Sequence, residues 1–241
     1  MSEIGIAAKP LGIRAYGHIG HLPGSRTGPG DHHVHEGQAR ICTERLRDRR
    51  DQVIVQVKLD GSCVAVARIG EDLVPLIRAG YRAYSSPHEQ HRLFAQWAYA
   101  NRHTFALLLQ RGERLVGEWL AQAHGTRYDL PHGPFVAFDL MRGHRRATVA
   151  EMGERLGDLL PLPCVLHAGG PLSVASARTL LRLPRHGELD PVEGAVWRVE
   201  RNGEVDFVAK WVRPDKIDGV YLPEVSGMPP VWNWRPRGVG A

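Results

Sequence analysis

Lys58 is the residue of this sequence with the most chemical potential, because of where it falls. It ends the run Val53-Ile54-Val55-Gln56-Val57-Lys58 and is followed by Leu59-Asp60-Gly61, in which Asp-Gly is a strong turn signal. The pattern predicts a strand with Val53, Val55 and Val57 on one face and Ile54, Gln56 and Lys58 on the other. A lysine at such a strand end, partly desolvated and near a basic or metal-bound charge, has a lowered pKa and becomes an amine nucleophile. An ordinary strand whose last lysine reaches water has the same pattern, so the rest of the chain must supply the remaining chemistry.

Candidates for it are scattered. Glu118 and Glu193 are carboxylates beside apolar runs, and Arg78 and Lys210 are cations at strand ends. Phe138 lies in an apolar strand, where burial in the core is the default. Asp31, His33 and His35 could ligate a metal, but no second ligand cluster of matching spacing follows. Arg26, in a glycine-rich turn, suits a phosphate contact better.

The elements that must position these residues can be read in order. Residues 1–50 are broken by Pro10, Gly12, Gly17, Gly20, Pro23, Gly24, Gly28, Pro29 and Gly30, which predicts an irregular extension. Thr43–Asp51 reads as a short charged helix or turn. Val64–Ile69 reads as the hairpin partner of the Lys58 strand, and Leu73–Ile77 as a third strand. His88–Leu109 is one long helix by its apolar spacing. Strands follow at Leu115–Leu120 and Phe135–Met141, and Thr148 with Glu151 forms a capping box for a helix to about Leu160. A helix over Ser173–Leu183 precedes a hairpin whose arms, Gly194–Val199 and Val205–Val212, flank Asn202-Gly203. The element order β-β-β-α-β-β-α-β-α-β-β indicates a mixed, mainly antiparallel α+β fold. We divide the chain into an irregular extension (1–50) packed on the core, a catalytic domain (51–216) and a Pro/Gly/Trp-rich tail (217–241).

Composition narrows the class. The chain has 241 residues, 43% hydrophobic and 24% charged, the balance of a globular protein with a substantial core. No apolar run has the length of a membrane span, and Met1–Ala8 has no signal layout, so a cytoplasmic location is the default. Cys42, Cys63 and Cys164 are too widely spaced for a CxxC pair and are read as free thiols. A net charge of +5, carried mostly by arginine, favours a polyanionic partner.

Taken together, six short motifs occur in a telling order. They are Lys58-Leu59-Asp60-Gly61, Arg78-Ala79-Gly80, Gly117-Glu118-Trp119, Ala137-Phe138-Asp139-Leu140, Glu193-Gly194-Ala195-Val196 and Ala209-Lys210-Trp211. The series resembles the covalent lysine nucleotidyltransferases, the superfamily of ATP-dependent ligases and mRNA capping enzymes. It is most similar to the ATP-dependent RNA ligase family, over about Val53 to Lys216, and Pro23–Asp31 is similar to an upstream segment of bacterial members. The resemblance implies an ATP-grasp-like ligase adenylation domain without a separate OB domain. It implies that Lys58 takes AMP from ATP, that the AMP passes to an RNA 5′-phosphate, and that a 3′-hydroxyl then displaces it. Asp60 and Glu118 would hold the ribose, Phe138 would stack on adenine, and Val57 and Gly61 would complete the nucleotide pocket. Arg78 would contact phosphate or the acceptor end, and Lys210 the α-phosphate. Glu193, with Asp60 or Glu118, would hold Mg²⁺ (or Mn²⁺), as suits a hard cation.

The chain departs from the family pattern in three places. The last motif usually has Lys-x-Lys; here Val212 follows Trp211 and Lys216 is the nearest substitute. Cys63 stands where relatives often have a polar residue such as Asn. With no OB-fold or helical appendage after the motifs, the extension and tail, or a protein partner, would grip the RNA. A DNA ligase, a capping-type nucleotidyltransferase and a non-catalytic RNA-binding module are the alternatives on the same fold.

Overall fold

β-Branched and apolar runs build ten strands, and the turns between them decide which strands meet. The structure is a computed structural model and describes residues 8–236. The reading of Met1–Ala8 as lacking a signal layout falls almost wholly outside those residues, as do the last residues of the tail. In chain order come β1 (Gly20–His21), α1 (Glu36–Thr43), β2 (Asp51–Lys58), β3 (Ser62–Ile69) and β4 (Asp72–Ile77). Next are α2 (Glu89–Ala100), α3 (Arg102–Leu108), β5 (Glu113–Trp119), β6 (Phe135–Arg142), β7 (Arg145–Arg146) and α4 (Val149–Leu156). β8 (Val165–Gly169), α5 (Val174–Leu180), β9 (Gly194–Arg201), β10 (Glu204–Val212) and α6 (Pro223–Ser226) complete the set.

The strands form two five-stranded sheets, ordered β1-β10-β9-β2-β8 and β4-β3-β5-β6-β7. All their pairings are antiparallel except that of β1 with β10. The expected mixed, mainly antiparallel α+β fold is thus the observed one. Helices α2, α3 and α4 cover the outer face of the second sheet, where Phe94, Phe105, Trp119 and Phe135 pack together. The first sheet packs Val53, Val55 and Trp197 against Ala39 and Cys42 of α1 and Ala177 of α5. Between the sheets lie Ala65, Ala67, Val116 and Met141, closed from one side by Ala15 and Tyr16.

Several local expectations change. β3 is not the hairpin partner of β2: the chain crosses from one sheet to the other at Leu59-Asp60-Gly61. Gly61 lies so close under β5 that a Cβ there would come 2.5 Å from the Trp119 carbonyl oxygen. The Asp60 side chain is held by Gly125 N, which donates at 2.9 Å, so the turn cannot fold back on its own strand. β2 is buried on both faces, with Ile54 and Gln56 as enclosed as the valines opposite. The helix expected over 88–109 is two helices meeting at Asn101, whose side-chain amide donates to the Trp97 carbonyl at 2.8 Å and competes with the helical ladder. Residues 1–50 are not wholly irregular, since they hold β1 and α1; of the helix or turn expected over 43–51, residues 44–50 form turns and bends between α1 and β2.

Other local signals act as written. Thr148 and Glu151 cap α4 reciprocally, at 3.1 and 2.7 Å. Asn202 and Gly203 both have positive φ, 51° and 76°, as a type I′ hairpin turn demands. In the tail, the Asn233 amide donates to the Leu120 carbonyl at 2.8 Å and Trp234 packs against Trp119.

One buried charge fastens the sheets together. The fully enclosed Asp139 of β6 accepts from Tyr16 OH at 2.7 Å and from Arg198 of β9 at 2.7 Å, and it pairs with Arg146 of β7. Burial, then the adjacent Asp139 charge, drives the Tyr16 phenol well above its ordinary pKa, so it remains a donor. Removing a carboxylate from such a network leaves buried arginines unpaired. Asp139→Ala is therefore expected to lower unfolding stability by about 3–5 kcal/mol, measured by urea denaturation followed by tryptophan fluorescence.

Candidate active site

The crossing at Leu59-Asp60-Gly61 leaves a cavity of about 790 Å³ between the sheets. Every residue singled out from the motifs lines it: Val57, Lys58, Asp60, Gly61, Arg78, Glu118, Phe138, Glu193, Lys210 and Lys216. Lys58 ends β2, and its register partner on β9 is Gly194, which places Glu193 beside it. Gly194 must be glycine, since a Cβ there would fall 1.9 Å from the Trp211 carbonyl oxygen of β10. Lys58 Nζ forms a short ion pair with Glu193 Oε2. Lys216 Nζ donates to the other oxygen, Oε1, at 2.5 Å and to Asp60 Oδ1 at 2.9 Å. One buried carboxylate is thus shared by two ammonium groups, and Asp60 anchors the second of them.

The surroundings fix this cluster. Asp60 N donates to Tyr128 OH at 2.9 Å, and Gly61 N donates to Glu118 Oε1 at 3.1 Å. Lys210 of β10 stands 3.6 Å from Asp31, which also accepts from Gly28 N at 2.9 Å and lies 3.1 Å from His21 Nε2. Arg78 donates to the Gly17 carbonyl at 3.0 Å. Phe138 reaches the cavity through a bulge: β6 skips it in register, with Asp139 opposite Val116 and Ala137 opposite Gly117. Phe138 and Asp139 therefore both turn inward, and the Phe138 ring meets the edge of Tyr16 at 5.1 Å.

Charge balance sets the protonation states. Burial alone would depress the Lys58 ammonium, but Glu193, Glu118 and Asp60 outweigh it and hold the pKa above the usual lysine value. The lowered pKa expected from the sequence is therefore not the resting condition, because the neighbours of Lys58 are anionic. Burial raises Glu118 to about 7, against the pull of Lys58. Burial would also raise Glu193, yet Lys58 and Lys216 bring it below the usual carboxylate value. Burial, and then the proximity of Lys58, lower Lys210.

Among the described residues, no three His, Cys, Asp or Glu side chains stand together as a metal-ligand set. The Asp31, His33 and His35 candidates are separated accordingly: His33 turns to the His21 carbonyl and Asp31 faces Lys210. Arg26 lines the cavity and pairs with Asp218. Tyr128, His124 and the Gly125 amide, which support Asp60 or line its side of the cavity, were not singled out from sequence. Nothing in their local pattern marks them, as they act through one hydroxyl, one ring and one backbone N–H.

The RNA ligase family model matches residues 51–212, more than half of the chain, and the chain belongs to that family. No curated protein sequence matches it. Among solved structures it is similar to Naegleria gruberi RNA ligase with PPi, at a TM-score of 0.55 and 18% identity over 87% of this chain and 62% of that one. A lysine-to-alanine variant of the same ligase with ATP and Mn gives 0.55 and 16%, over 80% of this chain and 59% of that one. An archaeal ATP-dependent RNA ligase gives 0.47 and 21%, over 68% and 43%. The chain thus spans 43–62% of the length of these structures. No helix among the described residues is long and apolar enough to cross a membrane.

Two histidines in the cavity wall make its integrity sensitive to acid. His91 is held between Ser62 Oγ at 2.8 Å and Ser86 Oγ at 2.7 Å, and His124 faces Gln90 at 3.0 Å. Burial lowers both to about 4. The unfolded chain binds their protons first, so the stability they confer is complete above about 6.5 and is lost as pH falls towards about 4. The urea midpoint should fall between pH 7 and pH 5, and a His91→Gln, His124→Gln double variant should show a shallower fall.

Proposed function

We propose that this chain is an ATP-dependent RNA ligase that self-adenylylates on Lys58, transfers AMP to an RNA 5′-phosphate and seals that end to a 3′-hydroxyl. The observation that carries this reading is Lys58 itself, an amine in a nucleotide-sized cavity, ringed by Glu193, Glu118 and Asp60 and accompanied by Lys210 and Lys216. A structural ion pair would need one lysine and one carboxylate. This cluster has more of both, and they face open space.

In the first step the neutral Lys58 amine attacks the α-phosphorus of ATP. The bond to the β-phosphate breaks, pyrophosphate leaves, and an N–P phosphoramidate forms. In the second, an oxygen of the RNA 5′-phosphate attacks the same phosphorus and the N–P bond breaks, returning Lys58. In the third, a 3′-hydroxyl oxygen attacks the activated 5′-phosphorus, AMP departs and the phosphodiester is made.

Asp60 and Glu118 would receive the ribose hydroxyls, Phe138 would stack on adenine, and Val57 and Gly61 would border the base and ribose. Lys210 would bind the α-phosphate and offset the charge that develops on it during transfer. Lys216, which reaches Glu193 and Asp60, would serve as the second phosphate contact that Val212 does not provide. Arg78 would meet phosphate at the acceptor side.

Glu193, Asp60 and Glu118 are the oxygen donors a hard divalent cation, Mg²⁺ or Mn²⁺, takes. They do not converge as a three-carboxylate set, and Lys58 and Lys216 occupy Glu193 and Asp60, so a cation would bind together with a phosphate that draws the lysines away. Glu193 would hold it, with Asp60 or Glu118 directly or through water. When bound it would neutralise phosphate charge and depress the pKa of Lys58. RNA would be drawn by the net charge of +5.

Incubation with Mg²⁺ and ATP labelled at the α-phosphate should leave label on the protein that is stable to alkali and released by acid. Lys58→Ala should carry none; label on that variant would remove the assignment. Lys210→Ala, melting like the wild type, should label about 10²–10³-fold more slowly. In the same experiment, absence of label from wild-type protein freed of bound nucleotide would refute the ligase reading.

A further inference from the structure

The segment just ahead of β1 is clamped onto the turn that carries Arg78. Tyr16 N donates to the Arg78 carbonyl at 3.3 Å, and the Arg78 guanidinium donates back to the Gly17 carbonyl at 3.0 Å. Gly80 packs so closely under the segment that a Cβ would stand 2.3 Å from the Ile13 carbonyl oxygen, and its φ of +94° keeps the turn in that shape. Arg14, His18 and Arg78 are thereby brought to one wall of the cavity, on which Lys210 also borders.

The charge of this wall is uncompensated. Arg14 Nη1 lies 3.0 Å from His18 Nε2, so a cation faces a ring that accepts from it. Among the described residues neither Arg14 nor Arg78 has a carboxylate within ion-pair distance. Asp31, the acid nearest in charge terms, is engaged with Lys210 and His21. The Arg78 Nε is enclosed without a hydrogen-bond partner. The Arg78 charge, then burial and the Arg14 charge, hold the His18 imidazole below its ordinary value, against the pull of Asp31. Arg14 at the exposed rim and the half-buried Arg78 present two guanidinium groups with no ion-paired acid, and an anion there would lie against both. Two guanidinium forks and an imidazole suit the several oxygens of a phosphate better than a single carboxylate.

We infer that Arg14, His18 and Arg78 form a subsite for a terminal phosphate, with Arg14 and His18 contributed by the segment ahead of the motif-bearing domain. This rests on the reading above that the cavity receives ATP and an RNA 5′-end. Two sources share the required chemistry: the pyrophosphate portion of ATP and the 5′-phosphate of the RNA. Both carry terminal phosphate oxygens that the three side chains could grip from one side.

The test uses the Lys58→Ala protein, which cannot form the covalent adduct, so binding is read without turnover. Inorganic pyrophosphate and a short oligoribonucleotide with either a 5′-phosphate or a 5′-hydroxyl are titrated by calorimetry. Arg14→Ala and His18→Ala, each added to this background, should weaken pyrophosphate or the 5′-phosphorylated RNA by about tenfold or more. The 5′-hydroxyl RNA should change little. Arg14→Lys should recover part of the loss, and unchanged melting temperatures should accompany all three variants. Loss confined to pyrophosphate assigns the subsite to ATP, and loss confined to the phosphorylated RNA assigns it to the RNA end. No loss in either arm, or an equal loss with the 5′-hydroxyl RNA, overturns the subsite. Failure of the wild type to take label from ATP would refute the ligase reading while leaving these binding results intact.

Discussion

A carboxylate sealed from water must have partners, and Glu193 has two: Lys58 on one oxygen and Lys216 on the other. Much of the site follows from that constraint. Lys216 can reach Glu193 only because the chain after β10 turns back over the cavity, and Asp60 braces it by accepting a second hydrogen bond. Asp60 in turn is fixed by Gly125 and Tyr128, which ties the crossing between sheets to the loop beyond β5. The resting site is therefore electrostatically closed on itself. Any anion entering the cavity would have to draw Lys58 and Lys216 away from Glu193, which would leave the carboxylate in need of another cation. Tight self-pairing of this kind disfavours adventitious anions and admits a ligand that brings phosphate and positive charge together.

The second constraint is mechanical. Asp139 joins β6 to β9 and to Tyr16, so the distance between the sheets is set by hydrogen bonds rather than by apolar contact alone. The bulge that frees Phe138 from its register lies in the same stretch. The residue that would stack on a base and the residue that locks the sheets are consecutive in sequence, and a shift at one must be felt at the other.

What could be read in the sequence was whatever depends on near neighbours. The Asn202-Gly203 hairpin and the Thr148–Glu151 capping box are local chemistry, and both hold. The mixed α+β architecture was likewise legible from the order of strands and helices, and Lys58, Asp60, Gly61, Arg78, Glu118, Phe138, Glu193 and Lys210 of the cavity lining stood out because they fall in motifs of recognisable order. Relations across space stayed hidden. That β2 and β3 belong to different sheets depends on how Gly61 fits beneath Trp119, and that Phe138 faces the cavity depends on a register slip against β5. The resting ionisation of Lys58 is hidden for the same reason: against burial, its pKa is held up by carboxylates led by Glu193, 135 residues away in sequence. The helix break at Asn101 was visible as an Asn but not as a break, since its effect comes from one side-chain amide competing with the backbone.

The parallel pairing of β1 along β10 has a bearing on how the molecule comes together. Gly20 aligns with Ala209 and His21 with Lys210, so a segment that precedes β2 in the sequence finds its place only on the strand that follows β9. Until β10 has been made and laid against β9, the segment with Arg14, His18 and Arg26 lacks its seat at the edge of the first sheet. Contacts of such long sequence separation form slowly, after the local hairpins and helices. On the ribosome the edge of the first sheet that borders the cavity would therefore be completed only after β10 has emerged. The same pairing interrupts the β10 edge at Ala209 and Lys210, shortening the run of backbone that another strand could join.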